Sequence, residues 1–244
     1  MRTRVFAGRN TKELLRDPLN LAFGIGFPLV VLLLLSAIQA NVPEAIFEIQ
    51  NIAPGISVFG LAFIALFSGM LIAKDRESSF LMRLYASPLT AGNFIYGYAL
   101  PLLPMAIIQM IVCFIAALFL GLPLSGRILL SIAVQLPAAV FFIGIGLLAG
   151  SLLTDKQVGG VCGALLTNLT AWLSGAWFDL ELVGGAFKTI SYLLPFAHAV
   201  DAAKAALNGD YAGIFPHLWW VAGYAVVVMA IAVFVFNRKM DIQK

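Results

Sequence analysis

The chain has 244 residues and a mass of 26.2 kDa; 61% of the residues are apolar, 11% are charged, and the mean hydropathy is +0.98. A soluble domain carries roughly 25% charged residues because its surface must stay wetted, so these figures exclude a soluble globule and a disordered chain alike and leave a polytopic membrane protein. The formal net charge of +3 and the pI near 9.0 then record membrane topology, because the bases are spread over several short segments and form no patch for nucleic acid.

In chain order, the arm before Pro18 comes first. At about 100° per residue, Arg9, Lys12 and Arg16 fall on one stripe and Ala7, Leu14 and Leu15 on the other side. This is the build of a helix lying in a membrane interface, with its bases toward anionic lipid headgroups. Six apolar windows of spanning length follow: Leu19 to Gln39, Ile52 to Ala73, Phe94 to Gly121, Ile128 to Leu153, Val158 to Phe178, and Leu218 to Phe236. None contains Asp, Glu, Lys, Arg or His. They are predicted to be helices, because backbone in lipid must satisfy its own hydrogen bonds. The first is too long for a signal-peptide core and is read as a retained helix.

Between the second and third windows, residues 74–93 read KDRESSFLMRLYASPLTAGN. A charge cluster is followed by Phe80, Leu81, Leu84 and Tyr85 at helical spacing, and Ser87-Pro88 fits the start of the third span. A short charged amphipathic helix between two spans suits docking on another protein. Before the last window, residues 179–217 are broken by Gly184, Gly185 and Pro195. Phe187 to Leu194 is too short to span, and Phe196 to Asn208 reads as an Ala-rich helix capped by Gly209. These pieces are expected to dip into or lie on the membrane.

Orientation follows from the bases in short loops, which stay on the cytoplasmic side. Of the 15 Lys and Arg residues, only Arg127, Lys188 and Lys204 fall on the alternate side. The arm, the 74–93 loop, Lys156 and the tail hold the rest. Both termini are therefore expected in the cytoplasm of a multi-pass protein of the plasma membrane.

The order of these features resembles the ABC-2 type permease family: a basic interfacial helix, six spans, a loop helix with Arg76, Glu77, Leu81, Arg83, Leu84 and Ser87-Pro88-Leu89, and a broken apolar hairpin before the last span. The resemblance covers the whole chain as a single transmembrane domain, 1–244. It implies an all-α membrane fold of six spans, with residues 1–18 as connecting helix, 74–93 as coupling loop, and 179–217 as an outer re-entrant hairpin. It further implies a dimer of permeases, identical or homologous, with the substrate path between the second and fifth spans, and a separate ATPase subunit that holds ATP and Mg²⁺. A bacterial origin is expected on the same resemblance. Asp75, Arg76, Glu77 and Arg83 are the expected coupling residues, with Phe80, Leu81 and Leu84 as their apolar seat. Ser78-Ser79 stands where the family pattern usually has glycine.

Other chemistry is expected to be absent. The sequence has no GxxxxGK[ST] loop to cradle phosphates, so the chain itself is not expected to be catalytic or to bind a cofactor. Gly144-Ile-Gly146-Leu-Leu-Ala149 formally fits a dinucleotide fingerprint but lies inside a span; Gly146 and Gly150, like Gly159 and Gly163, fit close helix approach instead. Ser174 with His198 is the one candidate nucleophile pair, and a serine bonded to its own helix backbone is the preferred reading. Cys113 and Cys162 have no CxxC or Cys/His neighbours, and no metal or disulfide is expected. The lack of ionisable groups at bilayer depth argues against a proton-driven carrier. Phe59, Phe63 and Phe67 form an i, i+4, i+8 stripe on the second span, and Asn168 and Trp172 lie one turn apart on the fifth. Such a path suits a lipophilic or amphipathic cargo such as a drug, peptide antibiotic or lipid-like compound. The rival expectations are a membrane scaffold or sensor that recruits a soluble partner, and a carrier driven by Na⁺ bound at unwound carbonyls.

Overall fold

The structure is a computed structural model that describes residues 2–18, 22–42, 48–78, 80–81 and 90–242. Its described residues form helices and their connections, with no strand. Helix α1 is Arg2–Arg16. Helix α2, Ala22–Asn41, opens with a widened π turn over Ala22–Gly26. The long helices α3 and α4 are Ile49–Glu77 and Ala91–Phe119, and α5 is Arg127–Leu152, interrupted at Gln135. Helix α6 runs over 155–173 in three joined pieces, Asp155–Val158, a π stretch Gly159–Leu166, and Thr167–Leu173. Then come α7, Leu180–Val183, α8, Gly185–Leu193, α9, Pro195–Asn208, and α10, Tyr211–Ile242.

Five of these, α2, α3, α4, α5 and α10, are long and apolar enough to cross a membrane. The fifth expected window is the one that differs. Its helix ends at Leu173 and begins with Asp155-Lys156-Gln157, so length and composition alone do not mark it as a span. Three boundaries move as well. The second-span helix runs on through Lys74 to Glu77, so the charge cluster is helical and continuous with the span rather than the opening of a loop. The expected start at Ser87-Pro88 lies outside the described residues; the third-span helix is capped by Thr90, whose Oγ1 accepts from Asn93 N at 3.3 Å. The last helix starts seven residues before the expected Leu218, because Asp210 Oδ1 accepts from Gly213 N at 3.0 Å and supplies an N-terminal cap.

Helix α3 sits at the centre, with nearly its whole length buried, while α2 and α10 leave most of theirs uncovered. Apolar contact alone cannot hold spans together in lipid, since the tails are as apolar as leucine; close backbone approach and interhelical hydrogen bonds have to do it. Both occur between α3 and α5. A Cβ placed on Gly146 would lie 2.0 Å from Ala65 O, and one on Gly150 would lie 2.2 Å from Gly69 O. Ser68 Oγ adds a bond to Ile143 O at 2.8 Å. The second expected pair behaves differently: Gly159 faces open space and Gly163 meets only the Leu66 side chain. Deeper in the bundle, Ser57 Oγ donates to Gln135 Oε1 at 2.8 Å, and Gln109 Nε2 to Ser57 O at 3.4 Å, so the two glutamines join spans. Pro137 follows the interruption at Gln135, whereas α4 stays continuous through Pro101 and Pro104.

The connections gather at two ends. At one end lie α1, the end of α3, the start of α4, the joint between α5 and α6, and the end of α10, linked by Arg9–Asp75, Tyr98–Asp75, Arg76–Leu153 and Phe94–Phe236. At the other end Arg127 reaches Asn208 O and Lys204 reaches Gly175 O. This partition matches the division of bases in the sequence and makes the first end the base-rich one. On the opposite end, α8 and α9 form the broken apolar segment. Helix α9 closes with Gly209 at φ 81°, where Asp210 N returns to Ala205 O at 2.9 Å.

Candidate functional site: a base-rich junction and an aromatic groove

The junction is built where four helix ends meet. Asp75, on the last turn of α3, is 2% exposed. Its Oδ2 accepts from Arg9 Nη1 at 2.6 Å and from the Tyr98 hydroxyl at 2.8 Å, tying α1 and α4 to α3. A buried carboxylate needs such partners to remain charged. Arg9 also pairs with Glu13 at 2.5 Å and lies 4.5 Å over the Phe80 ring. Burial opposes its charge, but the hydrogen bond and charge of Asp75, with Glu13, outweigh that and raise its pKa.

Arg76 points the other way. Its guanidinium donates to Ser151 O and, at 2.6 Å, to Leu153 O, satisfying carbonyls at the C-terminus of α5 where a cation also meets the negative helix end. Exposed Glu77 accepts from Asp155 N at 2.9 Å, at the start of α6. Here Thr154 and Gln157 form a reciprocal capping box. Three successive charged residues therefore reach four different helices.

Of the expected seat, Leu81 is buried in the main core and Phe80 is half-buried beneath Arg9. Arg83 and Leu84 lie outside the described residues. On α1 the expected stripe shifts by part of a turn. Phe6, Ala7, Asn10 and Leu14 face inward, Leu15 is exposed, and Arg9 belongs to the inner side while Lys12 and Arg16 stay exposed. The shift has a cause: Phe6 packs edge-on against Tyr98 and Phe94, and Asn10 Nδ2 donates to Gly97 O at 3.1 Å.

The aromatic groove is the second feature. Phe59, Phe63, Asn168 and Trp172 line one open hollow of about 340 Å³ together with Phe23 and Trp177. Trp172 is 57% exposed. Phe67, one turn further along α3, lies outside this hollow and borders a larger groove under α1. Two lining residues fall in π-widened stretches, Phe23 in α2 and Gly163 in α6, while the others from those helices stand on ordinary α-helical turns. Widened turns recur at functional sites. Phe23 and Phe27 at i, i+4 spacing carried a signal that matches the stripe on α3, since Phe27 and Phe63 rings lie 5.3 Å apart; the position of Trp177 has no local signature. Asn168 does not aim across the hollow, because its Nδ2 donates to Ala164 O at 2.8 Å on its own helix.

Ser174 and His198 are not brought together as a dyad. Ser174 Oγ accepts from Ala176 N at 3.2 Å, a bond to the turn that follows α6 rather than to its own helix, and His198 pairs with His217 and Tyr192 O. Among the described residues no group of three or more His, Cys, Asp or Glu side chains is placed to hold a metal.

Helices long enough to cross a bilayer, joined by base-rich turns at one end, define a multi-pass membrane protein. The family model for the ABC-2 type transporter matches residues 1–208, and the chain belongs to that family. The "Putative transport permease ycf38" of Porphyra purpurea is 29% identical over 197 residues, an alignment covering 78% of this chain and 68% of that protein. The "Probable multidrug ABC transporter permease YbhR" of Escherichia coli K12 is 24% identical over 197 residues, covering 80% of this chain and 53% of its own length. The chain thus spans about half of YbhR. Members of the family are transmembrane subunits of ABC transporters and normally non-catalytic; the ATPase lies in a separate subunit, so membership implies an ABC ATPase partner.

Proposed function

We propose that this chain is the permease subunit of an ABC exporter. It pairs with a second permease, identical or homologous, and moves a hydrophobic or amphipathic compound outward along the aromatic groove. ATP and Mg²⁺ act in the partner ATPase, whose closure pushes on the loop that follows Glu77. The reading includes α6 as a sixth span, 179–217 as an outer re-entrant hairpin, and both termini in the cytoplasm of a bacterial plasma membrane. The multidrug designation of YbhR supports a drug-like cargo, as does a groove walled by phenylalanine and tryptophan.

The observation that carries the proposal is the wiring of Asp75, Arg76 and Glu77. A force applied beyond Glu77 reaches α1 and α4 through Asp75, α5 through Arg76, and α6 through Glu77. Since α3 and α6 both border the groove, the push changes its width. The test is Glu77→Lys in a complex with its ATPase. Glu77 is exposed, so the bundle should assemble and hydrolysis should persist, while transport in inverted vesicles should fall by about tenfold or more, the equivalent of one lost charged interaction. Transport at the unaltered rate would refute the coupling role.

A further inference from the structure

Beneath α1 lies a groove of about 940 Å³ that the export reading does not use. One wall is the polar side of α1, with the bases Arg9, Lys12 and Arg16 and the acids Glu13 and Asp17; the other is the end of α3, with Phe67, Met70, Leu71 and Lys74. The hollow is therefore cationic at its mouth and apolar at its floor. Its charges do not cancel internally. Arg9 is held by Asp75 and Glu13, and Lys74 lies 3.7 Å from Asp17. Lys12 and Arg16, one helical turn apart and both exposed, have no ion-pair partner among the described residues. Two adjacent cations beside an apolar cleft, on a helix at the end of a membrane bundle, match a ligand with a single negative charge at the interface and a hydrocarbon tail. Phe67 and Leu71 are buried at its base, but a soluble phosphate ester would leave half-buried Met70 and exposed Val5 uncovered, and a zwitterionic lipid would bring its own cation against Lys12 and Arg16.

We propose that this groove binds one anionic phospholipid from the adjoining leaflet, with its phosphate between Lys12 and Arg16 and an acyl chain along Phe67, Met70 and Leu71. The lipid would fill the wedge between α1 and α3 and brace the Arg9–Asp75 contact on its far side. The site stands whether or not the chain exports anything.

Native mass spectrometry of the detergent-purified full chain, titrated with phosphatidylglycerol or phosphatidylethanolamine, tests it. Retention of phosphatidylglycerol should exceed that of phosphatidylethanolamine by about tenfold, the preference expected of two interfacial bases. The double variant Lys12→Gln, Arg16→Gln should lose the preference, whereas Lys156→Gln, also at the base-rich end, should keep it. Met70→Trp, which fills the apolar floor and leaves both bases in place, should lower phosphatidylglycerol retention. Glycerol 3-phosphate should not displace the lipid. Equal retention of the two lipids by the wild type, an unchanged preference in the double variant, full retention by Met70→Trp, or displacement by glycerol 3-phosphate would each overturn the assignment.

Discussion

Asp75 shows what a single side chain does at the junction. It is an acid in a charge cluster, and the KDRE spacing marks the cluster as a place for contact with a partner. Its burial against Arg9 and Tyr98 instead makes it an internal tie. Nothing local distinguishes it from Glu77 two residues on, because which of the two points inward depends on where α1 and α4 stand. Asp75→Asn removes the ion pair and keeps a hydrogen-bonding group for Tyr98. It should destabilise the detergent-solubilised protein by about 1–3 kcal/mol, as expected for a charged hydrogen bond whose partner can still reach water. Arg9→Met with Asp75→Asn should cost less than the two single changes added, since neither charge is then left alone. Additive losses in thermal melts would show that the two side chains are not coupled.

The pair His198 and His217 makes a second argument at this scale. Tyr192 O requires a hydrogen on His198 Nε2, so in the neutral ring His198 Nδ1 accepts from His217 Nδ1 at 2.7 Å. Burial lowers the His198 pKa, with His217 adding to the effect, against the opposing hydrogen bond to Tyr192 O and the charge of Asp201. A base whose folded pKa is lowered stabilises the fold fully above its unfolded value, near 6.5, and that contribution is lost as pH falls through the folded value. Protection of the amides over residues 192–200, taken relative to their intrinsic exchange rates at each pH, should therefore fall between about pH 7.5 and about pH 5.5, and His198→Gln should flatten the change. Equal protection at the two pH values in the wild type would dismiss the pair as a pH-sensitive contact.

Among the elements, the packing of α3 on α5 is the most exacting. Gly146 and Gly150 were legible as small residues four apart, and the contact is with backbone oxygen, which cannot move aside as a side chain can. Gly146→Leu should prevent α5 from seating and abolish the monodisperse folded species in size-exclusion chromatography, while Gly159→Leu, facing open space, should leave it intact. Identical elution profiles for the two variants would contradict this packing. The same spacing at Gly159 and Gly163 carries no such contact, because small-xxx-small records only that close approach is sterically permitted. Whether a neighbour comes near is a property of the bundle. Helix ends show a similar division. Gly209 was readable as a terminator because its φ of 81° favours glycine, whereas Arg76 capping the end of α5 depends on a helix 75 residues away in sequence.

For the molecule as a whole, hydropathy and charge placement determined most of the plan: helical spans, the grouping of connections at two ends, the inward face of α1 to within part of a turn, and the broken segment before the last helix. These follow from the solvent, because a bilayer dictates the length and polarity of each segment independently of the others. The tertiary structure alone decided that α3 is central, that α6 is segmented and π-widened, that Phe59 and Phe63 share a hollow with Trp177 while Phe67 borders another, and that Asp75 faces inward. Those features depend on which helix lies beside which, and in a chain so uniformly apolar many pairings bury the same surface. Backbone approach at glycine and a few paired polar groups choose among them, and both act only between elements already brought together.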